Sequence, residues 1–469
     1  MSASDRRVVV VGGGLAGTAA ALRLRDAGWS VVLLERRPRL GGALYTFARN
    51  DLPVDTGQHV LLRCYREHRA LLRRLGAGYL CPVQPRMDIP VLRPGTPALR
   101  LRRASHAPAP LHLLPALLGL RALSWKQRWT LMRTVDALGG VDPADPTADA
   151  QPLGPWLRER GGDDEAIRRF WAVLVVAALN IDVEDASLAL AAQVFRTALL
   201  EAADSADVGI LSVPQSVVYD ATARAHLAEQ GVEVHTGERV DAVDVTADGF
   251  AVRTAAGEID SDAVVVAVPH RHAAGLVPER ACPRRSQWEA LGASPIVNVH
   301  VRYDRPVTDL RFAAAVDSPV QWVFDKTEVA RCDGQYLTVS LSAADAIADQ
   351  PAAEILATQL AGLTELFPPA AQAEVLDAFV TREPHATFRQ RAGSGALRPA
   401  ARTDVPGLVL AGAWTATGWP DTTEGAVRSG RVAAETLLGR GAAGPADSSH
   451  EHDDTTDTTD LTDWSVASR

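Results

Sequence analysis

Lysine is almost missing from this chain of 469 residues: only Lys126 and Lys326 occur, and the rest of the positive charge is arginine. Cysteine is scarce as well. Cys64, Cys81, Cys282 and Cys332 stand far apart, with neither Cys-x-x-Cys nor zinc-ligand spacing, which argues against a disulfide framework and a structural metal. Histidines come close together only at His270 and His272 and at His450 and His452, without further ligands at useful spacing, so no metal site is expected. The first apolar run breaks at Gly12, too early for the apolar core of a secretory leader, and a reducing cytoplasm is the expected setting. Excess basic charge is also absent. The net charge is −9, of which residues 441–469 supply −6 (seven acids against one Arg), leaving −3 on the rest, so nucleic acid is not expected as a partner. Those end residues are rich in Asp, Thr, Ser and Gly and have too little apolar content to offset ordering entropy, which predicts a disordered acidic tail.

What remains is a chain with 47% hydrophobic residues, able to bury a large core. At roughly 100 to 200 residues per domain its length suggests two domains plus the tail. Val8-Val9-Val10-Val11 reads as a buried parallel strand, and Gly12, Gly14 and Gly17 follow it in Gly-x-Gly-x-x-Gly spacing. Glycines there let the backbone turn tightly and approach a pyrophosphate at the start of a helix running from Ala16 to Ala27, with Leu15 and Ala16 at its N-terminal end. A second strand, Ser30 to Leu34, ends at Glu35, whose carboxylate can accept both ribose hydroxyls of an adenosine with a free 2′-hydroxyl. That order of strand, glycines, helix, strand and acid implies FAD or NAD rather than NADP. No second motif of this kind occurs in a strand-to-helix context, so reducing equivalents would come from a separate, unidentified electron donor.

Arg37-Pro38-Arg39-Leu40-Gly41-Gly42 resembles the second glycine motif of the amine oxidase and phytoene desaturase flavoprotein superfamily, in which this loop covers the pyrophosphate. The resemblance implies FAD, held non-covalently because no cysteine follows Cys332 to form a thioether. Ala43 departs from it, since an arginine usually stands there, and Arg37 or Arg39 would supply the lost phosphate contact. Residues 231–240, 250–254 and 263–269 are similar to the superfamily's β-meander and returning strand, with Val240 against the adenine. Near the other end, Leu408 to Ala411 reads as a short buried strand and Glu424 opens a helix. Gly412, Ala413, Thr423, Glu424, Gly425 and Ala426 would then surround the flavin, with the positive helix end facing its N1 and C2 oxygen.

A narrower resemblance covers residues 6 to about 438. Asp55-Thr56-Gly57-Gln58-His59, Arg169 to Asn180 and Ala411 to Pro420 resemble the hydroxysqualene dehydroxylase family, departing from it at Ala172-Val173 and at Ala413. The resemblance implies an α/β fold: a Rossmann-type FAD-binding domain of the glutathione-reductase-like superfamily with an inserted α+β substrate domain. The FAD-binding domain is expected at 1–83, 205–290 and 395–440, and the substrate domain at 84–204 and 291–394. It also implies a long hydrophobic isoprenoid as substrate, reductive loss of a hydroxyl, and squalene or hopanoid biosynthesis as the context. Asp55 and His59, in a loop that passes the flavin ring in this superfamily, and Asp421, before the flavin-facing helix, are the expected proton donors. Asn180 would orient the hydroxyl, while Trp414 and Trp419 would shield a cation. Asp421 has an alternative as the cap of the helix at Glu424.

Competing functions are weighed on named residues. The resemblance implies that an amine oxidase of this fold would carry Tyr at position 422 and a lysine between Gly292 and Tyr303, and this chain has Thr422 and no lysine there. A carotenoid-type desaturase or protoporphyrinogen oxidase is the enzymatic alternative, and a prenyl-binding escort protein is the non-enzymatic one. The stretch from Pro108 to Leu123 holds seven leucines, with Trp125, Trp129, Arg121, Lys126 and Arg128 beside it. It is too short to span a bilayer, which takes about 20 apolar residues. It reads either as a core helix of the substrate domain or as a helix lying on an anionic membrane surface, and a membrane-dissolved substrate favours docking on the inner face.

Overall fold

The computed structural model describes residues 6–439, so the acidic tail expected at 441–469 lies outside the described residues. Five strands drawn from distant parts of the chain make one parallel sheet, ordered Leu408–Leu410, Ala263–Val266, Arg7–Val11, Ser30–Glu35 and Glu233–Thr236. Each valine of the run Val8 to Val11 is buried, as a strand covered on both faces requires. An antiparallel three-stranded sheet, Val240–Val245, Phe250–Thr254 and Gly257–Ser261, is inserted in the chain between the parallel strands Glu233–Thr236 and Ala263–Val266.

A larger, seven-stranded sheet is built from Val375–Thr387, Ser294–Tyr303, Gln335–Leu341, Trp322–Asp325, Phe312–Ala315, Asp88–Leu92 and Leu99–Arg102, in that order. The strand Ser294–Tyr303 alternates as its sequence suggests, but both its faces are buried. Val297, Val299 and Val301 enter an apolar core on one side. Asn298 and His300 face the other way and find polar partners: the Asn298 amide donates to Thr56 O at 3.1 Å, and His300 meets Tyr336 Oη at 2.7 Å and Thr381 Oγ1 at 3.1 Å. The fold is thus a Rossmann-type FAD-binding domain with an α+β insertion. We propose 1–83, 205–290 and 395–440 for the first and 84–204 and 291–394 for the second.

The leucine-rich stretch does not form one helix. A short 3₁₀ turn at Leu111–Leu113 and a brief helix at Leu114–Leu118 precede a capped helix at Trp125–Gly139. Pro110 and Pro115 interrupt the amide ladder, which is why the apolar run cannot propagate as a single helix. Its leucines split between two environments. Leu113, Leu120 and Leu123 are buried in an apolar core with Trp156, Phe170 and Trp171, whereas Leu111, Leu114 and Leu118 are exposed, as are Trp125 and Trp129.

Two helices frame the parallel sheet and come into backbone contact at Gly430: Leu15–Asp26, after the first strand, and Thr423–Leu437, after the last. A Cβ built on Gly430 would collide with the carbonyl oxygen of Ala16 and lie 3.0 Å from Ala19 Cβ. Gly430→Val should therefore force the pair apart and destabilise the protein by about 1–3 kcal/mol, the usual cost of overpacking. Thermal melting measures this, and an unchanged melting temperature would show that the crossing can relax.

Candidate active site

One elongated cavity of about 820 Å³ runs between the two sheets. Gly12, Gly14, Leu15 and Ala16 form part of its wall, and the helix starting at Leu15 has no side chain capping its N-terminus. Its first amides are therefore available to an anion. Gly42 from the second glycine loop closes over the same place, with Gly42 Cα 3.6 Å from where a Gly14 Cβ would stand. Glu35 and Val240 line the same cavity, and so do Gly412, Ala413 and Ala426. Glu35 accepts from Gly13 N and Arg37 N, both at 2.8 Å, and the lone pairs left on its carboxylate suit ribose hydroxyls. A naked glycine cradle, a buried acid and the start of a second helix in one cavity wall fit FAD.

Several expected cofactor contacts take other roles. Gly17 and Gly41 do not reach the cavity: a Cβ on Gly17 would strike Gly12 O, and Gly41, at φ +89°, donates to Gly13 O at 2.9 Å, so both glycines serve close backbone packing. Arg37 borders the cavity, but Arg39 does not. The Arg39 guanidinium lies over the Tyr45 ring at 3.4 Å and donates to Gly42 O at 3.0 Å, bracing the glycine loop from outside. Glu424 also turns away. Its fully buried carboxylate accepts from Glu67 N and His68 N, at the start of the helix Arg66–Arg74, and from Arg428 Nε. Thr423 and Gly425 are likewise outside the cavity wall, and the helix is capped by Thr422 rather than Asp421, through Gly425 N at 3.1 Å.

Released from capping, Asp421 lies in the cavity wall beside Phe388 and Trp414. Its carboxylate accepts one hydrogen bond, from Phe388 N at 2.8 Å, and burial pushes its pKa up to about 6 against the opposing pull of that amide and of Arg398. Arg398 is itself buried and donates to the carbonyls of Ala413, Thr415 and Trp419, so one guanidinium shapes the loop that ends at Asp421. Trp414 is held by Val268 O at 3.0 Å and packs on Trp288, while Trp419 stays outside the cavity against Tyr65 and Arg428.

Asn180 does not join this site. Its amide donates to Ser294 O and Thr387 Oγ1 and accepts from Ala343 N, so every polar atom is spent on tying a helix end to the larger sheet. Asp55 is similarly committed, accepting from Thr46 Oγ1 at 2.6 Å, Gln215 N at 3.0 Å and Lys326 Nζ at 3.1 Å. His59 borders a small hollow and keeps an exposed surface, but the protein packed around its ring desolvates it and brings its pKa down to about 4, outweighing Asp55. At neutral pH it is an uncharged imidazole and holds no surplus proton to deliver. The sequence reading missed Lys326, Gln215, Arg271 and the segment from Glu383 to Phe388, of which Arg271 and that segment border the cavity. A lysine in a chain that has only two, placed directly after the apolar strand Trp322–Asp325, was the one available signal.

Comparison with known proteins agrees with this geometry. The family model for flavin containing amine oxidoreductase matches residues 15–438. Hydroxysqualene dehydroxylase of Rhodopseudomonas palustris is 30% identical, over 94% of this chain and 100% of its own length. Zeta-carotene desaturase of Zea mays is 25% identical, over 93% of this chain and 84% of its own length. A solved structure of putrescine oxidase superposes with a TM-score of 0.71 at 20% identity, covering 93% of this chain and 99% of that one.

The Gly14 cradle can be tested directly. A Cβ there meets only ordinary contacts, so Gly14→Val should fold but lose FAD affinity by about tenfold or more, because a branched side chain would occupy pyrophosphate space. Titration of the apoprotein with FAD, alongside circular dichroism, measures both. Undiminished affinity in a folded variant would mean that this glycine does not face the cofactor.

Proposed function

This chain belongs to the family of flavin containing amine oxidoreductases and is an FAD-dependent oxidoreductase, and on that premise we propose that its reaction is the reductive dehydroxylation of hydroxysqualene to squalene. The end-to-end likeness to a hydroxysqualene dehydroxylase carries this reading. Squalene or hopanoid biosynthesis is the context it implies. Bound in its reduced form, FAD supplies the hydride that replaces the lost hydroxyl.

The protein's own share of the work is to protonate the leaving oxygen and keep water from an allylic cation. Asp421 is the acid best suited to the first task. It is half-buried in the cavity wall, where desolvation lets it retain its proton to higher pH than an exposed carboxylate. Trp414 and Phe388, in the same cavity wall, present apolar rings where a cation would form. The neutral His59 is assigned to the polar surroundings of the substrate rather than to proton delivery.

A second reading, hydrocarbon desaturation, is supported by the likeness to zeta-carotene desaturase. With flavin reduced anaerobically, 12-hydroxysqualene should yield squalene, and desaturation of phytoene with no turnover of the alcohol would favour the second reading instead. Turnover should fall as the pH rises through about 6, because the required proton leaves Asp421 there. Asp421→Asn should lose that pH dependence and slow the reaction by about 100-fold at unchanged FAD content. Stability follows the same sign: the ionised carboxylate is a cost fully present above about pH 6 that disappears as the pH falls to the ordinary carboxylate range near 4. A pH-independent rate in the native protein would remove Asp421 from this role.

Among the described residues no helix is long and apolar enough to cross a membrane. We place the protein in the cytoplasm, docked peripherally on anionic lipid of the inner membrane face. Leu111, Leu114, Leu118, Trp125 and Trp129 are exposed together, with Arg121 and Lys126 also exposed nearby in the chain. Replacing the three exposed leucines and both tryptophans by Ser should abolish sedimentation with anionic vesicles without changing FAD content. Native protein that ignores such vesicles at low salt would rule out docking.

A further inference from the structure

Apart from the main cavity, with which it shares no lining residue, a second and much smaller hollow of about 10 Å³ has two unlike walls. Asp55, Gln58, His59, Gln215 and Lys326 make the polar one, and Val60, Ile210, Leu211 and Phe324 the apolar one. Its size suits a single oxygen atom. Lys326 is buried, and Asp55 Oδ2 is the one hydrogen-bond acceptor its ammonium has among the described residues. Two of its three donors are therefore unspent. Gln215 is 3% exposed and uses its amide nitrogen on Gly57 O at 2.6 Å, but its Oε1 is buried with no hydrogen-bond partner.

A spare donor and an orphaned acceptor bordering one hollow form the complement of a hydroxyl, which accepts through oxygen and donates through hydrogen. The apolar wall suits the hydrocarbon that carries it. The hollow is also tied to the cofactor cavity, because Thr56, next to Asp55, bonds the carbonyls of Ala43 and Tyr45, and both of those residues border that cavity. We propose that this hollow is a recognition subsite that holds the substrate's hydroxyl group on binding, with Lys326 Nζ donating to its oxygen and Gln215 Oε1 accepting from its hydrogen, before the alcohol moves to the cofactor cavity where Asp421 protonates it. The assignment rests on the reading that the substrate is a hydroxylated isoprenoid. Lys326 and Gln215 are binding residues here, and the Asp55 carboxylate positions the ammonium. A hydrocarbon that lacks the oxygen leaves two buried polar groups unpaired, so the site selects the alcohol and releases the deoxygenated product.

Binding to the oxidised, FAD-loaded protein tests this without turnover. Titrations with 12-hydroxysqualene and with squalene in detergent, followed by the flavin absorbance change, should show the alcohol bound at least about tenfold more tightly. Lys326→Met and Gln215→Leu should each bring the two ligands to within about twofold while leaving squalene affinity and FAD content as they were. Because Lys326→Met strands a buried carboxylate, Lys326→Met combined with Asp55→Asn removes both charges and keeps the measurement possible if the single variant does not fold. Variants that fold, hold FAD and keep the native preference would overturn the proposal and leave the hollow as a water site. A native protein with no preference would overturn it too. If that protein still converts hydroxysqualene, the hollow alone is misassigned, and if it does not, the functional reading falls with it.

Discussion

Backbone contact between two helices is the constraint on which the cofactor site depends. The helix Leu15–Asp26 and the helix Thr423–Leu437 belong to opposite ends of the chain, and they pack where Gly430 faces the Ala16 carbonyl. Any side chain at that crossing would hold the axes apart. Because Gly430 carries none, the two helix starts lie close together on one cavity, with Gly12 and Gly14 and also Gly412 and Ala413 in its wall. Strand pairing reinforces the closure, since Ala263–Val266 hydrogen-bonds in parallel to both Arg7–Val11 and Leu408–Leu410.

Buried charges then shape what the cavity offers. Most are neutralised by backbone groups or by each other: Glu35 by Gly13 N and Arg37 N, Glu424 by two helix amides and Arg428, Arg398 by three carbonyl-bearing residues, and Asp55 by Lys326. Each such group is expensive to leave unpaired, so each holds its loop in one geometry. Asp421 is the exception. Among the described residues one amide donates to it, Arg398 acts on it through the field, and desolvation wins, so it holds its proton to higher pH than an exposed carboxylate does. The same logic in reverse leaves His59 neutral, because burial disfavours its charged form and Lys326 adds to that effect.

The dinucleotide half of the molecule was legible because its signals are local. Four valines, three glycines at fixed spacing and an acid one strand later each dictate backbone geometry within about thirty residues, and such units form in the same way wherever they occur. The leucine-rich stretch was legible only as apolar. Prolines at 110 and 115 broke it into short turns, and the larger sheet's core took some leucines and left others outside, a division no periodicity within the stretch encodes. Asn180 and Glu424 show the opposite error. Their types and positions suit a site, but their hydrogen bonds go to Ser294, Thr387 and Ala343 in one case and to Glu67 and His68 in the other, partners more than a hundred residues away in sequence.

By itself the sequence determined the cofactor class, the parallel strands that carry it and the glycines that admit it, because those depend on backbone sterics acting between near neighbours. Only the tertiary structure decided which polar side chains share a cavity. The pairing of Val297 with Arg382, and of Ile296 with Glu383, brings the segment from Glu383 to Phe388 over the flavin site, and a separate strand delivers Lys326 to Asp55. Proximity of this kind is set by strand register and by core packing, in which every covered face depends on what covers it, and no single segment contains that information.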